Sequence, residues 1–209
     1  MRHPWEEIPL EDYEKHMKLE SVLQLQALNE IMKSQLEDYP VSRIMILGIA
    51  GGNGLEHIRK DRVKKVYGVD INAAYLEAAA ARHPELVGVL ECLRADLTEE
   101  PYRLPEAELV VADLLVEYIG YERFQEVIRH VRPAYVSCVI QVDGEERWVS
   151  DSPYLHTFDR LERVHHPVER EVLREAMGTI GYRAGGAWER GLPNGKSLVR
   201  MDFAREDAP

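Results

Sequence analysis

An α/β fold, a doubly wound Rossmann-like sheet, is predicted for this 209-residue chain by three observations. Short apolar runs alternate with stretches of helical periodicity from Arg43 to Val142. The first of these runs ends in a turn that holds Gly48, Gly51, Gly52 and Gly54. Acids then stand at the ends of the next three runs, as Asp70, Asp96 and Asp113. Strand and helix in alternation, joined by right-handed crossovers, place helices on both faces of a parallel sheet.

Taken in order, residues 10–39 read as one helix, with Tyr13, Met17, Leu25, Leu28, Met32 and Leu36 on an apolar stripe. Tyr39-Pro40 ends it, because proline cannot continue the hydrogen-bond ladder. Five strands are expected at Arg43–Gly48, Lys65–Asp70, Val87–Leu93, Leu109–Asp113 and Tyr135–Val142. The first, fourth and fifth are apolar throughout, as in strands covered on both faces. Helices are expected to begin near Leu55, Ala73 and Tyr121, the last carrying Phe124, Val127, Ile128 and Val131 on one face. The tail breaks the alternation. A helix over Val168–Ile180 precedes two strands, Tyr182–Glu189 and Lys196–Ala204, joined through Pro193-Asn194-Gly195. Asn-Gly predicts a tight hairpin with both turn residues at positive φ.

Composition narrows the function. Lys and Arg number 26 against 37 Asp and Glu, a net charge of −11, which argues against tracking a phosphate backbone. The longest stretch free of charged residues is Ile44–Leu55, twelve residues, where a membrane span needs about 20. The first residues lack the apolar core of a signal peptide. A soluble, cytoplasmic protein is therefore expected. Cys92 and Cys138 stand alone, and no Cys or acid stands at ligand spacing to the histidines, so neither a disulfide framework nor a metal site is expected. An N-terminal helical cap, 1–40, and one larger domain, 41–209, with an insert at 143–167, fill the length.

The chemistry concentrates at the strand ends. Four glycines in seven residues at the end of the first strand let a ligand approach the backbone closely. Asp70 follows Gly48 by 22 residues, the distance at which an acid grips a ribose, although an acid before a helix is also an ordinary N-cap. Asp96 can accept from an adenine amino group or simply close a turn. Asp113 completes three acids facing one crevice.

These segments resemble the class I S-adenosylmethionine-dependent methyltransferases. Gly48-Ile49-Ala50-Gly51-Gly52 is similar to that family's Gly-x-Gly-x-Gly motif, with Ala50 at the middle place. Val69-Asp70-Ile71-Asn72 resembles the ribose motif, Ala95-Asp96-Leu97 the adenine motif, and Asp113 the motif beside the methionine moiety and acceptor. The resemblance implies strand order 3-2-1-4-5-7-6, with the last strand antiparallel, and S-adenosyl-L-methionine as cofactor. It assigns cofactor contacts to Gly48, Ala50, Gly52, Gly54, Asp70, Ile71, Asp96, Leu97 and Asp113. One departure stands out: Ile46 replaces the acid that usually precedes the first glycine and helps to hold the cofactor's amino group.

Methyl transfer needs a general base only for an acceptor that keeps its proton. The candidates are Glu117 and Tyr118, just past Asp113, and His156, with His165 and His166 in the same insert. Tyr13, His16 and Met17 of the first helix are placed to face the cofactor if that helix acts as a lid. A small-molecule acceptor is expected, given the acidity and the absence of Asn-Pro-Pro-Tyr and of any Pro-Cys pair. Two other functions compete: a non-catalytic module that binds S-adenosylmethionine, and a nicotinamide-dependent oxidoreductase using the same turn.

Overall fold

A computed structural model describes residues 3–99, 103–142 and 148–208. Residues 143–147 of the expected insert lie outside the described residues. Seven strands form one sheet: β1 (Arg43–Leu47), β2 (Lys65–Asp70), β3 (Leu90–Arg94), β4 (Leu109–Asp113), β5 (Tyr135–Val142), β6 (Tyr182–Gly191) and β7 (Ser197–Arg205). Their order is β3-β2-β1-β4-β5-β7-β6, the order expected. β1 to β5 pair in parallel, and β7 runs antiparallel to both β5 and β6.

Successive residues of a strand point to opposite faces, so a strand apolar at every position feeds two cores. Met45 and Leu47 face α4 (Val116–Val131) and α5 (Arg170–Thr179), burying Phe124, Ile128, Leu173 and Met177. Ile44 and Ile46 face the other way, toward α2 (Gln24–Glu37) and α3 (Ala73–Arg82), with Met32, Leu36, Leu76 and Ala79. Among the described residues, no helix is long and apolar enough to cross a membrane.

Four expectations need correction. The helix expected over 10–39 is two helices, α1 (Leu10–Lys18) and α2, separated by a turn in which Leu23 adopts φ 52°. A straight helix of that length would extend about 45 Å, far beyond a five-residue strand. The turn instead lets α1 cross the strand ends while α2 lies on the sheet. The helix expected from Leu55 is only a short 3-10 helix, Leu55–His57, and α2 covers that part of the sheet. β3 begins at Leu90 and not at Val87, which is 83% exposed before Gly88 turns the chain at φ 85°. In the last hairpin only Gly195 has positive φ. Pro193 fixes its own φ near −65°, which suits the first central place of an ordinary turn, and Gly195 closes a three-residue loop by donating to Leu192 O at 3.1 Å.

Candidate active site

The strand order sets the C-terminal ends of β3, β2, β1 and β4 side by side, and so aligns Asp96, Asp70, Gly48 and Asp113. Three inter-strand spacings of about 4.8 Å give roughly 14 Å between the outer two strands. A crevice lies along this line, and Gly48, Ala50, Asp70, Ile71, Asp96, Leu97 and Asp113 all border it. Gly52 and Gly54 do not. A Cβ on Gly52 would meet Leu55 and His83, and one on Gly54 would meet Met32, so both serve packing.

Asp70 ties the glycine turn to β2. Its Oδ2 accepts from Ala50 N at 3.0 Å and its Oδ1 from Asn72 N at 2.9 Å. Burial pushes its carboxyl up to about 6, against the pull of these backbone donors. The N-cap of α3 is Asn72, whose side chain accepts from Ala74 N at 3.0 Å. Asp70 is thereby released from the capping role that competed with a ligand role. Asp96 Oδ1 accepts from Thr98 N at 2.9 Å and from Thr98 Oγ1 at 2.6 Å.

Asp113 is held differently. Gln35 of α2 donates through Nε2 to Asp113 Oδ1 at 2.8 Å and to Ser137 Oγ at 3.1 Å. Ser137 in turn donates to Asp202 Oδ1 at 2.6 Å, where Arg200 Nε also donates at 3.0 Å. The other oxygen, Oδ2, is sealed from solvent, and the Val139 backbone also reaches the carboxyl. Burial raises the Asp113 carboxyl to about 7, with Gln35 and Arg200 opposing and Asp202 adding to the rise.

The N-terminal segment forms a strap over the crevice, bringing Trp5 and Tyr13 into its wall. Asn72 Nδ2 donates to Trp5 O at 2.9 Å, Tyr75 OH to Ile8 O at 3.0 Å and Arg94 Nη2 to Glu6 at 2.6 Å. Arg82 pairs with Glu14 across the glycine turn.

A second cavity opens beside the first and shares Trp5, Tyr13, Leu114 and Tyr118 with it. Its walls mix aromatic rings with polar side chains. Trp5 meets Tyr118 edge-on at 4.9 Å, and Trp148 stacks on His165 at 4.2 Å. Glu117 borders it, its Oε1 accepting from Gln141 N at 2.8 Å. His16 and Met17 line it too, and the His16 Nδ1 lies 2.8 Å from Ser152 Oγ. Burial, with Lys196 nearby, pushes His16 down to about 4, so its ring is neutral at pH 7.

Of the expected catalytic residues, Glu117 and Tyr118 are therefore together, and His165 joins them. His156 does not: its side chain is 91% exposed and pairs with Asp159 at 3.1 Å. It sits on the outer face of the 3-10 helix Leu155–Arg163, whose inner face buries Phe158 and Leu161. His166 contributes its backbone N–H to Glu117 O at 2.6 Å and does not border the cavity. Gln35 was not anticipated; its one signal is a polar residue within the apolar stripe of α2, beside Met32 and Leu36.

Residues 46–134 match the family model described as "Methyltransferase domain". The sheet order is that of the class I S-adenosylmethionine-dependent methyltransferase fold, and this stretch of the chain is similar to that family. Among curated proteins, none matches the chain by sequence. Solved structures do match in fold. The methyltransferase domain of bacterial CtHen1 has TM-score 0.64 and 16% identity, over 88% of this chain and 98% of that one. Magnesium protoporphyrin IX methyltransferase from Synechocystis PCC 6803, with bound S-adenosylmethionine, has TM-score 0.61 and 12% identity, over 87% and 79%. The 4+2 cyclase SpnF has TM-score 0.65 and 10% identity, over 86% and 80%. At these identities the likeness is one of fold, and a fold hosts more than one activity.

Proposed function

We propose that this protein transfers a methyl group from S-adenosyl-L-methionine to a small-molecule acceptor bound in the second cavity. The observation that carries this reading is the line Asp96–Asp70–Gly48–Asp113, which ends at the wall shared with that cavity. Adenine lies toward Asp96, the ribose on Asp70 and the amino-acid portion beyond Gly48. An ionised carboxylate has about four acceptor sites, so Asp70 retains capacity for two ribose hydroxyls after taking its backbone donors. Gly48 carries no side chain to fill the crevice.

When bound, the cofactor supplies an electrophilic methyl group on a sulfonium sulfur. The chain's own residues then hold the acceptor in line with it. Such orientation is worth up to about 7–11 kcal/mol without further chemistry. Trp5 and Tyr13 exclude water from above, and Leu114 and Tyr118 form the passage between the two cavities. For an acceptor that carries a proton, Glu117 and the neutral His16 are the groups placed to receive it. Aromatic rings interleaved with polar side chains suit a small acceptor that presents both a flat apolar face and polar groups.

The test is incubation with methyl-labelled S-adenosylmethionine and pools of phenols, aromatic amines and aromatic carboxylates. Labelled product is expected in one pool, and its loss in Asp70→Asn. Cofactor binding with no product from any pool would favour a binding module without transfer. The oxidoreductase alternative draws no support from the methyltransferase match.

A further inference from the structure

We infer that the acceptor presents an uncharged N–H or O–H donor to Gln24, whose amide oxygen selects it over a carboxylate. The inference rests on the proposed function above and names the class of molecule that the second cavity takes. Gln24 opens α2, outside the stretch that matches the methyltransferase model, and is 6% exposed where it borders that cavity. The direction of its amide follows from a backbone group. Trp148 O can only accept, so the Gln141 side chain turns its Nε2 to that carbonyl, at 2.9 Å. Gln141 Oε1 is thereby left toward Gln24 and accepts from Gln24 Nε2 at 2.7 Å. Gln24 Oε1 is the opposite end of that amide. Among the described residues no donor takes it, and it is not sealed from solvent.

Other polar side chains of the wall are engaged within the chain. His16 Nδ1 lies 2.8 Å from Ser152 Oγ, and Ser150 Oγ accepts from Asn194 Nδ2 at 2.8 Å. Glu117 Oε1 accepts from Gln141 N at 2.8 Å, so Glu117 and Gln24 converge on Gln141 and set a carboxylate beside the amide oxygen. Among the described residues no Lys or Arg borders the cavity, and Lys196 gives its ammonium group to Trp148 O. An anionic head would meet a carbonyl oxygen and a carboxylate, with no cation to offset its lost hydration. An N–H or O–H donor instead satisfies the amide oxygen. Tyr118 and Trp148 offer rings to the rest of the molecule. Gln24 is thus the residue that sets specificity, and Gln141 is its positioning residue.

The experiment titrates the S-adenosylhomocysteine complex with three probes substituted at the same ring carbon. Naphthol donates a hydrogen bond, methoxynaphthalene cannot, and naphthoate is the anion. The wild type should bind naphthol about 3- to 10-fold more tightly than methoxynaphthalene, the worth of one neutral hydrogen bond, and at least about tenfold more tightly than naphthoate. Gln24→Met, which keeps the length of the side chain, should abolish the first ratio and leave methoxynaphthalene within about twofold of the wild type. Gln141→Leu frees the Gln24 amide to turn its Nε2 inward, so it should narrow the naphthol-to-naphthoate ratio. A merely structural defect would weaken all three probes alike. Naphthoate binding as tightly as naphthol in the wild type, equal losses of naphthol and methoxynaphthalene in Gln24→Met, or binding of no probe to the complex would overturn the inference. Failure of S-adenosylhomocysteine itself to bind would overturn the cofactor reading beneath it, and this inference with it.

Discussion

Met32 of α2 lies so close to Gly54 that a Cβ on the glycine would stand 2.5 Å from Met32 Cγ. Gly54 also has φ 92°. The contact seats α2 where the chain between β1 and β2 supplies only a short 3-10 helix. Gly54→Ala is therefore expected to cost about 1–3 kcal/mol of stability, read by denaturant unfolding, while the folded fraction binds S-adenosylhomocysteine normally. Gly48 borders the crevice with φ 70°, so Gly48→Val should lower affinity as well.

Trp5 packs edge-on to both Tyr13 (5.7 Å) and Tyr118 (4.9 Å), bridging the strap to the passage between the cavities. Trp5→Ala should speed dissociation of S-adenosylhomocysteine about tenfold, a factor equal to about 1.4 kcal/mol. Stopped-flow tryptophan-independent readouts, such as displacement by labelled ligand, check this.

Asp113 titrates near 7 in the folded chain against 3.8 for the free group. A raised carboxyl contributes stability that is complete below the unfolded value and lost as pH rises through the folded one. Asp70, near 6, acts in the same direction. The ligand-free protein should thus lose about 1–2 kcal/mol between pH 6 and pH 8, seen as a fall of several degrees in Tm. Asp113→Asn should remove most of that slope and raise Tm at pH 8.

His16 carries the opposite sign. Its folded value, about 4, lies below the free 6.5. Its contribution is present above pH 6.5 and lost as pH falls through 4. An NMR titration should find one imidazole neutral down to about pH 4, missing in His16→Gln. His156→Ala should alter neither binding nor turnover, because that ring faces solvent.

The strand order and the line of acids were legible because they rest on local signals: apolar runs at strand length, each closed by a small residue or an acid. The role of α2 was not. Leu55 and Ile58 have the spacing of a helix start, and only the distant contact between Met32 and Gly54 shows that another segment fills that layer. The same limit applies to the histidines of the insert. His156 and His165 are equivalent in sequence, and the fold of the 3-10 helix turns one outward and stacks the other on Trp148. Gln35 belongs to this group as well, since its partners Asp113 and Ser137 lie far along the chain.

The central claim, that Asp70 holds the ribose of S-adenosylmethionine in this crevice, is tested most directly by titrating S-adenosylhomocysteine into the wild type and Asp70→Asn. One-to-one binding in the wild type, weakened at least about tenfold in the variant while the variant stays folded, is the predicted result. No binding to the wild type, or equal binding to both proteins, would contradict it.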